Sequence, residues 1–251
     1  MFLTLLWRDI RSRFINSYTG WLWLLINPLL LLAVYAFVFG VIFRARVPEG
    51  LDVPFVVWLS MGLWPWLAFA DGVLRASDSM PQYKALISKV AIPRELLVLS
   101  SATSAFLMQL LGCIVVLILV AALGTPVHWS GLPLALLIMI ILYGLCCGLG
   151  LIMAALRVYF RDLEQLLPTL LMFAFFLTPI IYSPDMLPEQ YRDWWMLNPM
   201  AQLLTELRSA LLEGQWLPSS LTGLLLFIAI GMCYFGLVFF RRLSPYFEDF
   251  L

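Results

Sequence analysis

The stretch Arg8-Asp9-Ile10-Arg11-Ser12-Arg13-Phe14-Ile15-Asn16-Ser17-Tyr18-Thr19-Gly20, followed by the apolar run from Trp21 to Phe43, decides how the chain is read. No charged residue lies between Arg13 and Arg44. A charge-free apolar run longer than the roughly 20 residues that cross a bilayer core reads as a transmembrane helix. Ahead of it, Leu3, Leu6, Trp7, Ile10 and Phe14 share one helical stripe, with Arg8, Arg11 and Ser12 on the other side. That pattern predicts a helix over 1–17 lying in the membrane interface, its arginines toward lipid phosphates and the cytosol. A plain positively charged anchor with no further role is the other reading.

Composition points the same way. Of 251 residues, 63% are hydrophobic and 12% charged, with a mean hydropathy of +0.96. Soluble domains carry about 25% charged residues, so this is a membrane protein. Cys113, Cys146, Cys147 and Cys233 all sit in apolar runs, where neither a disulfide framework nor a zinc site belongs. The first run is too long for a signal-peptide core and lacks a small-residue cleavage site, so it is expected to remain.

Charge-free runs predict an all-α protein with six spans, at about 21–43, 55–74, 98–123, 132–155, 166–183 and 219–240. The long run between Glu95 and Arg157 holds two of them, split by Gly124-Thr125-Pro126-Val127-His128-Trp129-Ser130-Gly131. There is no internal repeat, and one membrane domain over 1–251 is the economical division. With the N-terminus in the cytosol, 11 of the 15 lysines and arginines fall inside and 4 outside. The bias places both termini in the cytoplasm.

Three connections exceed simple turns. In the cytoplasmic Ser77–Glu95 segment, Ser79 can cap a helix, Pro81 suits a first turn, and Ile92-Pro93 ends it. A short amphipathic helix over 80–92 follows, with Tyr83, Leu86, Ile87 and Val90 on one face and Lys84 and Lys89 polar. It is either a docking surface or a helix resting on lipid. The second connection, Arg157-Val158-Tyr159-Phe160-Arg161-Asp162-Leu163-Glu164, either pairs its own charges or meets a partner. Surface pairs are worth about 0–1 kcal/mol, so stability alone is a weak motive. The third, over 184–217, is extracytoplasmic. It contains Trp194-Trp195 and a helix over Ala201–Glu213 that Gly214 can end. It reads as short helices dipping into the outer leaflet as a gate, or as an aromatic belt anchored by Trp194 and Trp195.

The spans lack the mid-depth acidic or histidine relays of proton- and ion-coupled carriers. His128, the only histidine, falls in an outer turn. There is no G-x-x-x-x-G-K-[ST] phosphate loop, no His-Glu metal helix and no nucleophile elbow. Energy for any transport must therefore come from a partner. Aromatic rings are plentiful, however, with Trp23, Tyr35 and Phe39 in the first run and Phe173, Phe176 and Tyr182 in the fifth. They serve either as lipid-facing packing or as flat walls along which sugar rings slide.

These pieces together resemble the permease subunits of ABC-2 type exporters, in the polysaccharide and O-antigen branch. The resemblance is carried by Arg8-Asp9-Ile10-Arg11-Ser12-Arg13-Phe14 with Gly20-Trp21-Leu22-Trp23 and Asn27-Pro28. It continues in Lys89-Val90-Ala91-Ile92-Pro93-Arg94-Glu95, Tyr159-Phe160-Arg161-Asp162-Leu163, Thr178-Pro179-Ile180-Ile181-Tyr182-Ser183 and Leu197-Asn198-Pro199. It implies an ABC-2 (type V exporter) fold: an interfacial helix, six spans, a cytosolic coupling helix and short periplasmic gate helices. It also implies a homodimer enclosing a channel in the bacterial inner membrane, served by two copies of an ABC nucleotide-binding subunit that hold ATP and Mg. This chain would itself bind no cofactor or nucleic acid. Gln82, Tyr83, Lys84, Leu86, Ile87, Lys89 and Arg94 would meet that subunit, with Arg161, Asp162 and Glu164 as a second contact. The cargo implied is polysaccharide on an undecaprenyl-type diphosphate, for which Arg8, Arg11 and Arg13 are expected partners, since arginine pairs well with phosphate. Teichoic acid, capsule or a small drug or lipid is the alternative cargo.

Overall fold

Every regular element among the described residues is a helix, as expected where lipid leaves the backbone to satisfy itself. The computed structural model describes residues 1–12, 20–43, 47–48, 51, 53–87, 89, 92–122, 124–125, 127–183 and 197–249. In order these form α1 (Phe2–Ser12), α2 (Gly20–Tyr35, with a π-helical continuation Ala36–Ile42), α3 (Phe55–Gln82) and α4 (Lys84–Ile87). They are followed by α5 (Arg94–Ala122), α6 (Leu132–Tyr159), α7 (Leu163–Leu177), α8 (Pro199–Arg208, continued by a π turn Ser209–Glu213) and α9 (Ser220–Leu243). Short 3-10 turns precede α6 at Trp129–Gly131 and follow α9 at Ser244–Asp249.

Four of these helices are long and apolar enough to cross a membrane: α3, α5, α6 and α9. The helix α3 is central, packed between α5 and α6. It buries 78% of its most apolar stretch within the protein, against 22% for α9, whose outward side carries Phe227, Ile230, Tyr234 and Phe235. The helix α2 lies on α5, and α7 on α3 and α6. Small residues set the α6–α9 crossing. A methyl built on Gly148 would come within 2.6 Å of the Met232 backbone, and one on Gly236 would strike the Gly148 carbonyl. Close backbone approach of this kind replaces the hydrophobic drive that lipid removes.

Two expected boundaries shift. The helix α3 does not stop near 74; it runs on to Gln82, and within the separate helix expected over 80–92 the described residues past Gln82 show the single turn α4, with residues 88, 90 and 91 outside the described ones. The packed face of α3 continues through Ser77, Ser79 and Met80, all buried, which leaves no free end near 77. Ser79 accordingly caps nothing: its hydroxyl donates back to the Ala76 carbonyl at 2.6 Å. Pro81 lies in the last turn of α3 rather than the first turn of a new helix. The span expected over 166–183 is helical only to Leu177. Pro179 disfavours the helical region for the residue before it, and Thr178 is extended (φ −98°, ψ 135°). Fifteen helical residues rise about 22 Å, short of a hydrocarbon core of about 30 Å.

Candidate functional site

Residues 2–12 and 244–249 lie at one end of the bundle, the near end, beside the start of α5. There α1 packs on α5 through Leu5 and Asp9, while Leu3 and Trp7 face outward. Asp9 sits in the basic arm yet is only 6% exposed. Its carboxylate accepts from the Tyr83 hydroxyl and, at 3.2 Å, from Ser101. Burial, and then the hydrogen bond to Asp9 and its negative charge, push the Tyr83 hydroxyl above its usual range. The Arg8 guanidinium stacks 4.6 Å over the Tyr83 ring. The helix α1 is thereby latched to the corner where α3 ends. A polar recess lined by Asp9, Ser12, Arg75, Gln82 and Tyr83 lies beside that latch.

The expected docking residues divide here. Gln82, Lys84, Lys89, Arg161 and Asp162 are exposed; Leu86 and Ile87 are half-buried against the core. Arg94 turns inward and donates to the Ser244 carbonyl. Glu164 pairs at 3.1 Å with Arg157, which also holds Asp78. Arg241 closes the same end with Glu95 at 2.8 Å. The expected phosphate-binding arginines are also split. Arg8 is spent partly on Tyr83 and Asp9, Arg11 stacks 5.1 Å from the Trp7 ring, and Arg13 is outside the described residues.

The aromatic residues form two groups. On α2, Tyr35, Phe39 and Phe43 stack in a column with centroids 5.8 and 5.6 Å apart. On α7, Phe173 and Phe176 point outward, 65% and 52% exposed, whereas the Tyr182 hydroxyl folds back to the Phe176 carbonyl at 3.1 Å. Among the described residues no ring pair joins the two groups within one chain. Trp23 lies on α2 outside the described side chains, and Trp194 and Trp195 lie outside the described residues.

At the far end the helix expected over 201–213 is present as α8 and its π turn. Asn198 caps it, accepting from the Met200 and Ala201 amides at 3.0 and 3.4 Å. The same side chain donates to Thr178 Oγ1 at 3.0 Å, tying α8 to the end of α7. Gly214 ends the turn in the left-handed region, φ 77°. Glu206 reaches the start of α9, accepting from the Ser219 amide at 2.8 Å and from the Thr222 hydroxyl.

Arg208, counted from sequence only as one of four outer charges, is the buried charge that sequence reasoning missed. It is 4% exposed. It donates to the carbonyls of Trp58 (3.2 Å), Pro179 (2.8 Å) and Ile180 (2.9 Å), and its guanidinium lies 3.7 Å from the Trp58 ring centroid. Burial draws it down to about 9, still above neutral pH, so the buried group keeps its charge. Buried carbonyls cost about 1–3 kcal/mol each if left unmet, and Arg208 meets those of Pro179 and Ile180 beyond the end of α7. Its partners are backbone atoms 28 to 150 residues away, which no local motif announces.

The sequence pattern of the ABC-2 type transporter family matches residues 1–212. The chain is 30% identical over 247 residues to an O-antigen export system permease protein RfbA of Klebsiella pneumoniae, covering 97% of this chain and 92% of that one. It is 29% identical over 217 residues to an RfbA protein of the same description from Myxococcus xanthus, covering 85% and 80%. The polysialic acid transport protein KpsM of Escherichia coli is 24% identical over 234 residues, with 93% and 90% covered.

Proposed function

The chain belongs to the ABC-2 type transporter family, and on that premise we propose that it is the permease subunit of an ATP-driven exporter of lipid-linked polysaccharide, such as O-antigen, across the bacterial inner membrane. The observation that carries this reading is the near full-length match to relatives named for O-antigen export. Having no phosphate-cradling loop, the chain draws its energy from a separate ATPase subunit that holds ATP and Mg.

The near end is then cytosolic, in line with the 11-to-4 distribution of lysine and arginine. The helix α2 with its π continuation and the short α7 complete six spans. Exposed Gln82, Lys84, Lys89, Arg161 and Asp162 form the docking face, braced from behind by Arg94 and by the Arg157–Glu164 pair. Two copies of the chain pair so that the outward rings of α7 and the α2 column wall a shared conduit. Phe173 and Phe176 support this, since both rings are largely exposed on their own chain. Arg8 and Arg11 meet the diphosphate at the inner leaflet, and the segment bearing Trp194 and Trp195 guards the exit. Capsular cargo is the second reading, favoured by the KpsM relative.

Deleting the gene tests the proposal. Loss of surface polysaccharide, with lipid-linked chains accumulating inside, is expected; intact surface glycan combined with multidrug sensitivity overturns the cargo assignment. Mild-detergent purification should retain an ABC ATPase. In that complex Arg161→Glu and Leu86→Pro should let ATP hydrolysis continue while export stops. Normal export in both variants sinks the docking face.

A further inference from the structure

The Arg208 cluster has a property that bracing alone does not require. Among the described residues no carboxylate pairs with this cation. Its partners are three carbonyls and a ring, drawn from two elements: the start of α3 and the extended segment after α7. Gly62, one turn on from Trp58, leaves the space; a methyl there would collide with the guanidinium. We infer that Arg208 is the positioning residue of the extracytoplasmic mouth, a clamp that holds the 178–181 backbone against α3 in the closed state and lets go when the mouth opens.

The chemistry of the acceptors suits a clamp that must release. Separating a buried ion pair leaves two bare charges, whereas a guanidinium leaving a carbonyl leaves one charge and a neutral dipole. With five donors in a rigid fork, Arg208 can keep one acceptor while exchanging another. Any outward shift of α7 relative to α3 must exchange two of the three bonds together, because Pro179 and Ile180 move as one segment. The inference rests on the export reading, since only a conduit has a mouth to close.

The test uses the permease with its ATPase partner in vesicles, reading three quantities: carboxyfluorescein leak without ATP, ATP hydrolysis, and glycan exported per ATP. For Arg208→Gln, leak is expected to rise roughly tenfold, the scale of one lost hydrogen bond to a charged group, with hydrolysis little changed and export per ATP reduced. Arg208→Lys, which keeps the charge but not the fork, should fall between. Gly62→Ala should reproduce the leak in the wild-type background and add nothing to Arg208→Ala, the non-additivity that contact demands. Should Arg208→Gln fail to fold, Gly62→Ala and Arg208→Lys still decide the matter. Wild-type leak in these two, or additive effects of Gly62→Ala and Arg208→Ala, overturns the clamp. A wild-type complex that hydrolyses ATP but exports no glycan instead sinks the functional reading and leaves the leak result standing.

Discussion

The two ends of this bundle are fastened by different physics. At the near end most ties run from side chain to side chain: Asp78–Arg157–Glu164, Glu95–Arg241 and the Asp9–Tyr83 latch, with Arg94 on the Ser244 carbonyl an exception. Most have one exposed partner, such as Arg241 at 62% or Glu164 at 70%. At the far end most ties run from side chain to backbone: Arg208 to three carbonyls, Asn198 and Glu206 to amides, beside their hydroxyl partners Thr178 and Thr222. Exposed ion pairs exchange with water at little cost, about 0–1 kcal/mol. Buried backbone groups have no water to turn to, so their partners are given up only in exchange for others. On the proposed export reading, the contrast suits a machine driven from one end: soft joints where a partner would push, a stiff assembly where leakage would have to be prevented.

Substitutions ranked by expected loss of thermal stability in detergent can break that contrast. Gly131→Val should cost most. Even one methyl there would strike the Ala210 carbonyl, so the turn before α6 could no longer sit on the π turn after α8. Because the obstacle is backbone, the loss should reach or exceed the roughly 1–3 kcal/mol typical of overpacking. Glu206→Ala comes next, at about 1–3 kcal/mol, since the Ser219 amide and Thr222 hydroxyl lose their acceptor. Arg241→Ala should cost least, about 0–1 kcal/mol, and less at high salt. If Arg241→Ala matches Glu206→Ala, the division into soft and stiff ends is wrong.

Much of this architecture could be read in advance. The apolar runs located α5, α6 and α9 to within a few residues. Gly214 marked the end of the helix read over 201–213, because left-handed stops are local chemistry, while its start lies two residues earlier, at Pro199 behind the Asn198 cap. What escaped reading was tertiary. Asp78, Ser79 and Pro81 look like a loop until Arg157 and the Ala76 carbonyl are seen to accommodate them within α3. Asp9 looks like part of a solvated face until Tyr83 and Ser101 bury it. Arg208 was invisible as a site because backbone carbonyls carry no residue signature; only the early end of α7 at Pro179, legible in hindsight, hinted that something must meet them.

The glycine-to-glycine crossing of α6 and α9 carries a practical consequence. Helices whose main chains touch cannot slide or twist past one another without collision, so this pair travels as a single plank through any working cycle. Spin labels at the lipid-facing positions Ile140 and Ile228 would therefore keep a constant separation. They supply an internal ruler against which the excursions of α7 and α8 can be gauged.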